Sequence, residues 1–169
     1  MLTAVGGILV AAGCWGLGFQ AATRLREQER ALRDAEQGLQ LLERELALRE
    51  TPLPQLMGLL EERCRGSACA LFAACRRGLE RLDETPFAQS WQSAVEDCPG
   101  LTGEGKQTLL SLGNILGRYE GGEQCRAVTA VRQELGDILR RAEENRRRMG
   151  RVYQMLGLSG GAFLVILLL

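Results

Sequence analysis

Two stretches without charged side chains, one towards each end of the chain, are its plainest pattern. Residues 1–23 contain no Asp, Glu, Lys or Arg, and residues 152–169 contain none either. As helices, residues 1–22 would be about 33 Å long and residues 152–169 about 27 Å, close to the thickness of a hydrocarbon core. The pattern predicts transmembrane helices at 1–22 and 152–169, with a polar domain at 23–151 between them.

Arginines flank both apolar stretches on the side of the polar domain. They are Arg24 and Arg26 after the first stretch, and Arg146, Arg147, Arg148 and Arg151 before the second. Because the cytoplasmic flanks of membrane helices carry the excess of Lys and Arg, both clusters predict a cytoplasmic polar domain and outward-facing termini. We expect these side chains to contact anionic lipid headgroups.

A cleaved signal peptide and a lipoprotein anchor are two other interpretations of the first stretch. A cleaved signal peptide would carry its basic residues before the apolar run, whereas here they follow it. Residues 11–14 (AAGC) resemble a lipidation box ending at Cys14, but the apolar run continues beyond that cysteine. Small residues on one face would let the helix pack closely on the second segment or on partner helices, although glycine is also simply common in membrane helices. They are Gly7, Ala11, Gly18 and Ala22.

Apolar residues spaced by seven form a stripe next to each apolar stretch. The stripes are Leu25, Leu32, Leu39 and Leu46 near the start, and Val128, Leu135, Ala142 and Met149 near the end. This spacing predicts two long helical stems that continue the membrane helices without a break. Two arrangements stay open: the stems pair as an antiparallel coil, or each packs its stripe on shorter helices.

Caps, prolines and glycines divide the segment between the stems into short helices. Thr51 is predicted to cap a helix whose first residue is Pro52, with Leu53 opening its apolar stripe. The other boundaries are expected at a Ser67 cap, at Thr85-Pro86, at the turn Cys98-Pro99-Gly100, at a Thr102 cap and at the glycines of 117–122. The predicted fold is all-α, a small bundle of about six helices between two membrane helices.

Composition argues against several classes of function. The chain has 169 residues, with 21 basic and 21 acidic side chains and no histidine. The balanced charge argues against a nucleic-acid surface, and the commonest general base and metal ligand is absent. The sequence contains no glycine-rich phosphate loop and no nucleophile with an obvious base. We expect no enzymatic activity, no catalytic residue and no cofactor.

Six cysteines raise the question of disulfides or metal. Most of them fall within helical patterns, which favours their use as small apolar residues in a reducing compartment. A metal site at Cys64, Cys69 and Cys75 is the alternative, although the three lack the close CxxC pairing of structural zinc sites.

Several short motifs follow one another along almost the whole chain. They are Leu41-Leu42-Glu43-Arg44-Glu45-Leu46, Thr51-Pro52-Leu53, Trp91, Leu112-Gly113, Leu116-Gly117, Gln124 and the apolar tail 156–169. In this order between two apolar ends, they resemble the stage III sporulation protein AB family. That family is in turn similar to the inner-membrane platform proteins of type II secretion and type IV pilus systems.

The resemblance implies a six-helix cytoplasmic bundle in a platform subunit of a secretion-like channel complex. In endospore formation this complex would join mother cell and forespore, with the chain in the mother-cell membrane. The implied partners are other stage III sporulation channel proteins and a secretion-type ATPase similar to stage III sporulation protein AA. A homo-oligomer is a further expected partner.

The motif residues are the candidates for structural or interaction roles. They are Thr51, Pro52, Leu53, Trp91, Leu112, Gly117 and Gln124. Two other functions stay open: a lipid-anchored extracytoplasmic helical protein with paired thiols, and a membrane thiol or metal sensor. The platform proteins generally have two such domains and three membrane helices, whereas this chain has one domain and two predicted membrane helices.

Overall fold

The computed structural model describes residues 2–48, 51–80, 86–116 and 121–168. Side chains are described from Thr23 in the first range and up to Met149 in the last. Throughout these ranges the regular structure is helical and no strand occurs. The predicted all-α fold is confirmed.

Six α-helices and one 3-10 helix make up the described chain. They are α1 (Leu2–Leu48), α2 (Leu53–Arg63), α3 (Gly66–Leu79), α4 (Phe87–Glu96), α5 (Gly103–Leu110), the 3-10 helix Ser111–Asn114 and α6 (Gly121–Leu168). Each long helix, α1 and α6, contains one apolar stretch and the stem next to it. The predicted continuity of stem and apolar stretch is therefore present in the backbone of both helices.

The chain divides into two compact units. One unit is the bundle, Gln28–Arg140, and the other consists of Met1–Glu27 and Arg141–Leu169. Within the part of the chain whose side chains are described, no helical segment is both long and apolar enough to span a membrane. The predicted membrane helices at 1–22 and 152–169 lie outside that part.

The core of the bundle contains the middle of the first seven-residue stripe and the first half of the second, whose last member, Met149, is exposed. Its buried stem residues are Leu32, Ala35, Leu39 and Leu42 of α1, and Val128, Val131, Leu135 and Ile138 of α6. The short helices add Leu56, Met57, Leu60, Leu71, Phe72, Trp91 and Val95. Burial of these side chains removes their apolar area from water, which is the main favourable term in the folding of the bundle.

The predicted start of α2 is wrong by one position. Pro52, not Thr51, is the N-cap residue, with φ −57° and ψ 140°, and Leu53 is the first helical residue. Pro54 is thus the proline inside the first turn, where a missing N–H interrupts no helical hydrogen bond. The amide of Leu56 donates to the Pro52 carbonyl at 3.0 Å, and no side chain caps this end.

The predicted Ser67 cap is also wrong, because a residue from another helix caps α3. Arg65 is the N-cap position, Gly66 begins the helix, and Ser67 lies inside it. The amide of Ser67 donates to the Asp34 carboxylate of α1 at 3.3 Å, and its hydroxyl donates to the Ala31 carbonyl at 3.2 Å. Gly66 has φ +58° and lies against Asp34, where a Cβ atom would collide with the carboxylate.

The remaining predicted boundaries agree with the structure only in part. Thr102 caps α5 as expected, accepting a hydrogen bond from the Gly105 amide at 3.3 Å. The turn at Cys98-Pro99-Gly100 is present, with Gly100 at φ +78°. The predicted helix from Thr102 through Leu116 instead tightens into a 3-10 turn at Ser111–Asn114. Thr85 lies outside the described residues.

Candidate functional site

A cluster of hydrogen-bonded polar side chains joins α1 and α6 inside the bundle. Glu36 and Glu43 are seven residues apart on α1, so their side chains lie two turns apart on the same side of the helix. Both carboxylates point to α6, where Arg132 is placed between them. We call these three residues together with Thr129 the stem clasp.

Arg132 forms ion pairs with both carboxylates. Its Nε donates to Glu43 Oε2 at 2.6 Å, and its Nη1 lies 3.4 Å from Glu36 Oε1. The Arg132 side chain is 26% exposed and each glutamate side chain 23%, so water screens the pairs only in part. One guanidinium thereby fixes two points of α1 against one point of α6.

Thr129 completes the stem clasp one turn before Arg132. Its hydroxyl lies 2.6 Å from Glu43 Oε1 and 2.8 Å from the Cys125 carbonyl of its own helix. The Glu43 carboxylate therefore has a partner on each oxygen. These contacts confirm that the stems meet, while α1 also contacts the short helices through Asp34 and Ser67. α1 therefore contacts both α6 and the short helix α3, and an antiparallel coil of the two stems stays a prediction.

The protonation of the stem clasp follows from these contacts. The hydrogen bond from Thr129, followed by the hydrogen bond and positive charge of Arg132, lowers the pKa of Glu43 against the opposing effect of burial. The hydrogen bond to Glu43 raises the pKa of Arg132 above its usual range. The clasp is consequently charged on both sides at neutral pH.

Trp91 forms a second, wholly buried site in the bundle. Its indole Nε1 donates to the Leu109 carbonyl at 2.8 Å, near the end of α5 where carbonyls lose their helical partners. Gly113 of the 3-10 turn lies against the ring, since a Cβ there would be 2.8 Å from Trp91 Cδ1. The chain thus tightens beside Trp91 to bring α4 and α5 together.

The other predicted site residues are spread over the chain. Leu112 is fully buried beside Gly113, Leu53 and Thr51 are half-buried, and Pro52 is exposed. Gln124 lies half-buried on α6. Gly117 lies outside the described residues. The structure does not gather these residues into one site.

Five of the six arginines predicted to flank the membrane have described side chains. Arg24 and Arg26 of α1 and Arg146, Arg147 and Arg148 of α6 are exposed to solvent. The side chain of Arg151 lies outside the described residues.

The cysteines in the described ranges are free thiols. They are Cys64, Cys69, Cys75, Cys98 and Cys125. Burial raises the pKa of Cys75 to about 12 and that of Cys64 and Cys98 to about 11. Among the described side chains, no cluster of three or more His, Cys, Asp or Glu could hold a metal ion. Cys14 lies outside the described side chains.

Sequence reasoning did not single out Glu36, Arg132 or Thr129. Each is an ordinary polar residue of a helix surface, and the contact joins positions about ninety residues apart, as for Arg132 and Glu43 with a separation of 89. Only the seven-residue spacing of Glu36 and Glu43 was visible in the sequence.

Comparison with known proteins agrees with the fold. A family model described as "Stage III sporulation protein AB (spore_III_AB)" matches residues 3–169. A solved structure described as "Stage III sporulation protein AB (SpoIIIAB)" is similar, with a TM-score of 0.63 and 21% sequence identity, over 72% of this chain and 97% of that chain. At this identity the solved structure shows the fold alone. No curated protein matches the chain. Because the family model covers nearly its whole length, the chain belongs to the stage III sporulation protein AB family of sporulation proteins.

Proposed function

We propose that the chain is a non-enzymatic platform subunit of a secretion-like channel complex in endospore formation. In this role two membrane helices hold the bundle in the mother-cell cytoplasm, and the bundle docks a secretion-type ATPase similar to stage III sporulation protein AA. Other stage III sporulation channel proteins and membrane lipid are the remaining partners. Family membership supports a role in sporulation, and the finer role is our inference.

The observation that carries the proposal is the length of α1 and α6. Each is one uninterrupted helix, of 47 and 48 residues, that includes an apolar stretch and a charged stem. From Arg24 to Leu48, α1 extends about 37 Å beyond its apolar stretch. A continuous helix of this kind transmits a displacement along its axis, because it curves only gently unless its hydrogen-bond ladder is interrupted.

The stem clasp makes the two long helices act together. Arg132 holds α1 at Glu36 and at Glu43, so a slip of α6 by one turn, about 5.4 Å, would break at least one ion pair. A push on the bundle by the ATPase would therefore reach both apolar stretches rather than one. The clasp is the part of the bundle where this coupling is made.

The thiols support the choice of a platform over a thiol sensor. A reactive cysteine needs a lowered pKa and access to solvent. Cys75 and Cys98 are buried, and burial raises the pKa of both thiols above the ordinary value. These two side chains pack in the core in the manner of small apolar residues.

A break in helix α1 tests the proposal. Arg26→Pro removes the backbone donor to residue 22 and kinks α1 just before the bundle begins at Gln28. In an endospore-forming host we expect this variant to lose spore formation while purified full-length protein in lipid discs still binds the ATPase. Arg26→Ala, which keeps the helix, should retain both properties.

Two results would contradict the proposal. Normal spore formation by Arg26→Pro would show that continuity of α1 is not needed. A wild-type chain in lipid discs that fails to bind the purified ATPase would remove the docking role, whatever the variants do.

A further inference from the structure

One outward face of α1 within the bundle carries positive charge and amides only. Arg30, Arg33, Gln37, Gln40 and Arg44 follow at spacings of three and four residues, which places them on one side of the helix, and all are exposed. Arg33 is paired at 2.9 Å with Glu29 of the same helix; the Glu29 side chain is only 5% exposed, whereas that of Arg33 is 45% exposed. We call this strip of five residues, about 21 Å long, the arginine face.

The outward face of α4 carries two carboxylates at its C-terminal end, next to the Lys106 ammonium, which donates to the Glu96 carbonyl. Gln89, Gln92 and Glu96 are exposed at spacings of three and four residues, and the exposed Asp97 follows directly. The other side of α4 is buried through Trp91 and other core residues, so this face is directed away from the core. We call these four exposed residues the acidic face.

The two faces match position by position when the helices run antiparallel. The intervals from Arg33 to Gln37 and Gln40 are four and three residues, and those from Glu96 back to Gln92 and Gln89 are the same. In this register Gln37 faces Gln92 and Gln40 faces Gln89. Each glutamine amide can donate one hydrogen bond and accept another at the same time. It also places the Arg30–Arg33 end of one face against the Glu96–Asp97 end of the other.

We infer that the arginine face of one copy of the chain packs against the acidic face of a second copy. The two faces lie on different helices of the same chain, so the contact is head-to-tail and leaves one face of each kind open at the ends of a row. The contact from Gln92 Nε2 to Glu96 Oε1 at 2.9 Å is exposed and costs little to rearrange, whereas Arg33 keeps its pair with the buried Glu29 and offers its remaining N–H groups.

The contact is weak by itself and needs both copies of the chain to be anchored in the same membrane. Two faces of four or five side chains bury much less than the roughly 800 Å² per partner of a stable complex. Anchoring in one membrane raises the effective concentration of copies and makes such a contact sufficient. The inference rests in this respect on the two membrane helices of the proposed function.

Crosslinking of full-length protein in lipid vesicles tests the contact. One preparation carries Gln37→Cys and a second carries Gln92→Cys, and the two are reconstituted together and oxidised. We expect a crosslinked dimer in the mixture beyond the level that either variant gives alone. Gln37→Cys mixed with Gln107→Cys, an exposed position of α5, is the matched control and should give none beyond that level.

Charge reversal tests the electrostatic part in the same vesicles. Arg30→Glu with Arg33→Glu, or Glu96→Arg with Asp97→Arg, should each lower the crosslink yield about tenfold, because like charges then face each other. A mixture of the two charge-reversed chains should restore the yield. Circular dichroism checks that both remain folded, because Arg33→Glu also removes a partner of the buried Glu29 carboxylate.

The outcomes separate this inference from the proposed function. Protein that floats with the vesicles but gives no specific crosslink, or charge-reversed chains that do not rescue each other, would overturn the inference alone. Protein that does not float with the vesicles would overturn the proposed membrane role, and the inference with it. Loss of ATPase binding in Arg30→Glu with Arg33→Glu, at unchanged crosslink yield, would assign the arginine face to the ATPase and overturn the inference.

Discussion

Gly38 shows how the absence of a side chain sets the distance between two helices. It lies buried on α1 where α3 crosses, and an added Cβ would be 2.9 Å from Phe72 Cε2 and 3.1 Å from Ala68 Cβ. The Phe72 side chain is 1% exposed and is therefore held on all sides. The glycine, an unfavourable residue in a helix, is the condition for this close approach.

The prediction at this scale compares two glycines in helix interiors. Gly38→Ala should lower the free energy of unfolding by about 1–3 kcal/mol, because the ring and backbone have to move apart. Gly136→Ala, on α6 with no atom within 4 Å of the added Cβ, should raise it by about 0.5–1 kcal/mol through helix propensity. Urea unfolding followed by circular dichroism measures both. Changes of the same sign and size would contradict the packing described for α1 and α3.

At the scale of elements, the stem clasp is what joins the first helix to the last. Its residues come from α1 and α6, which are separated in sequence by the four short helices. The exposed pair Arg140–Asp137 at 2.9 Å provides a comparison, because its side chains are 69% and 61% exposed and both lie on α6. A half-buried pair between helices should contribute more than an exposed pair within one helix.

A double-mutant cycle measures that difference. For Glu43→Gln and Arg132→Met we expect a coupling energy of about 1 kcal/mol, since the pair is hydrogen-bonded and partly shielded from water. For Asp137→Asn and Arg140→Gln the coupling should be about 0.3 kcal/mol or less. Equal couplings in the two cycles would show that the stem clasp has no special role.

The coupling also has a predicted pH dependence. The pKa of Glu43 is lower in the folded protein than in the unfolded chain, so its contribution is present above the unfolded value of about 4.3. The contribution is lost as pH falls through the lower, folded value. Repeating the cycle at neutral and at acid pH should therefore show the coupling disappear in acid.

At the scale of elements, the sequence predicted features set by neighbouring residues and missed contacts between residues far apart in the chain. The seven-residue stripes of α1 and α6, the Thr102 cap and the turn at Gly100 were predicted correctly from neighbouring residues alone. The Ser67 cap was wrong because Asp34, 33 residues away, supplies the capping carboxylate. The stem clasp and the Gly38 crossing were missed for the same reason. Local sequence shows which face of a helix is apolar, but not which helix covers it.

At the scale of the whole molecule, function depends on where the apolar stretches lie. The family, the all-helical bundle and the helical continuity of α1 and α6 are observed. The membrane topology, the ATPase and the channel are proposed from the apolar ends, their arginines and the resemblance. The topology is the central claim, because docking and force transmission both require a bundle on the cytoplasmic side.

Site-specific labelling of full-length protein in right-side-out membrane vesicles tests that claim most directly. Ser93→Cys introduces a thiol on the exposed side of α4, and Thr3→Cys introduces one near the N-terminus. The buried native thiols of Cys75 and Cys98 should react slowly, because their raised pKa values leave little thiolate at neutral pH. With a membrane-impermeant maleimide we predict immediate labelling of Thr3→Cys, and labelling of Ser93→Cys only after the vesicles are opened. Labelling of Ser93→Cys in sealed vesicles would place the bundle outside the cytoplasm and contradict the account.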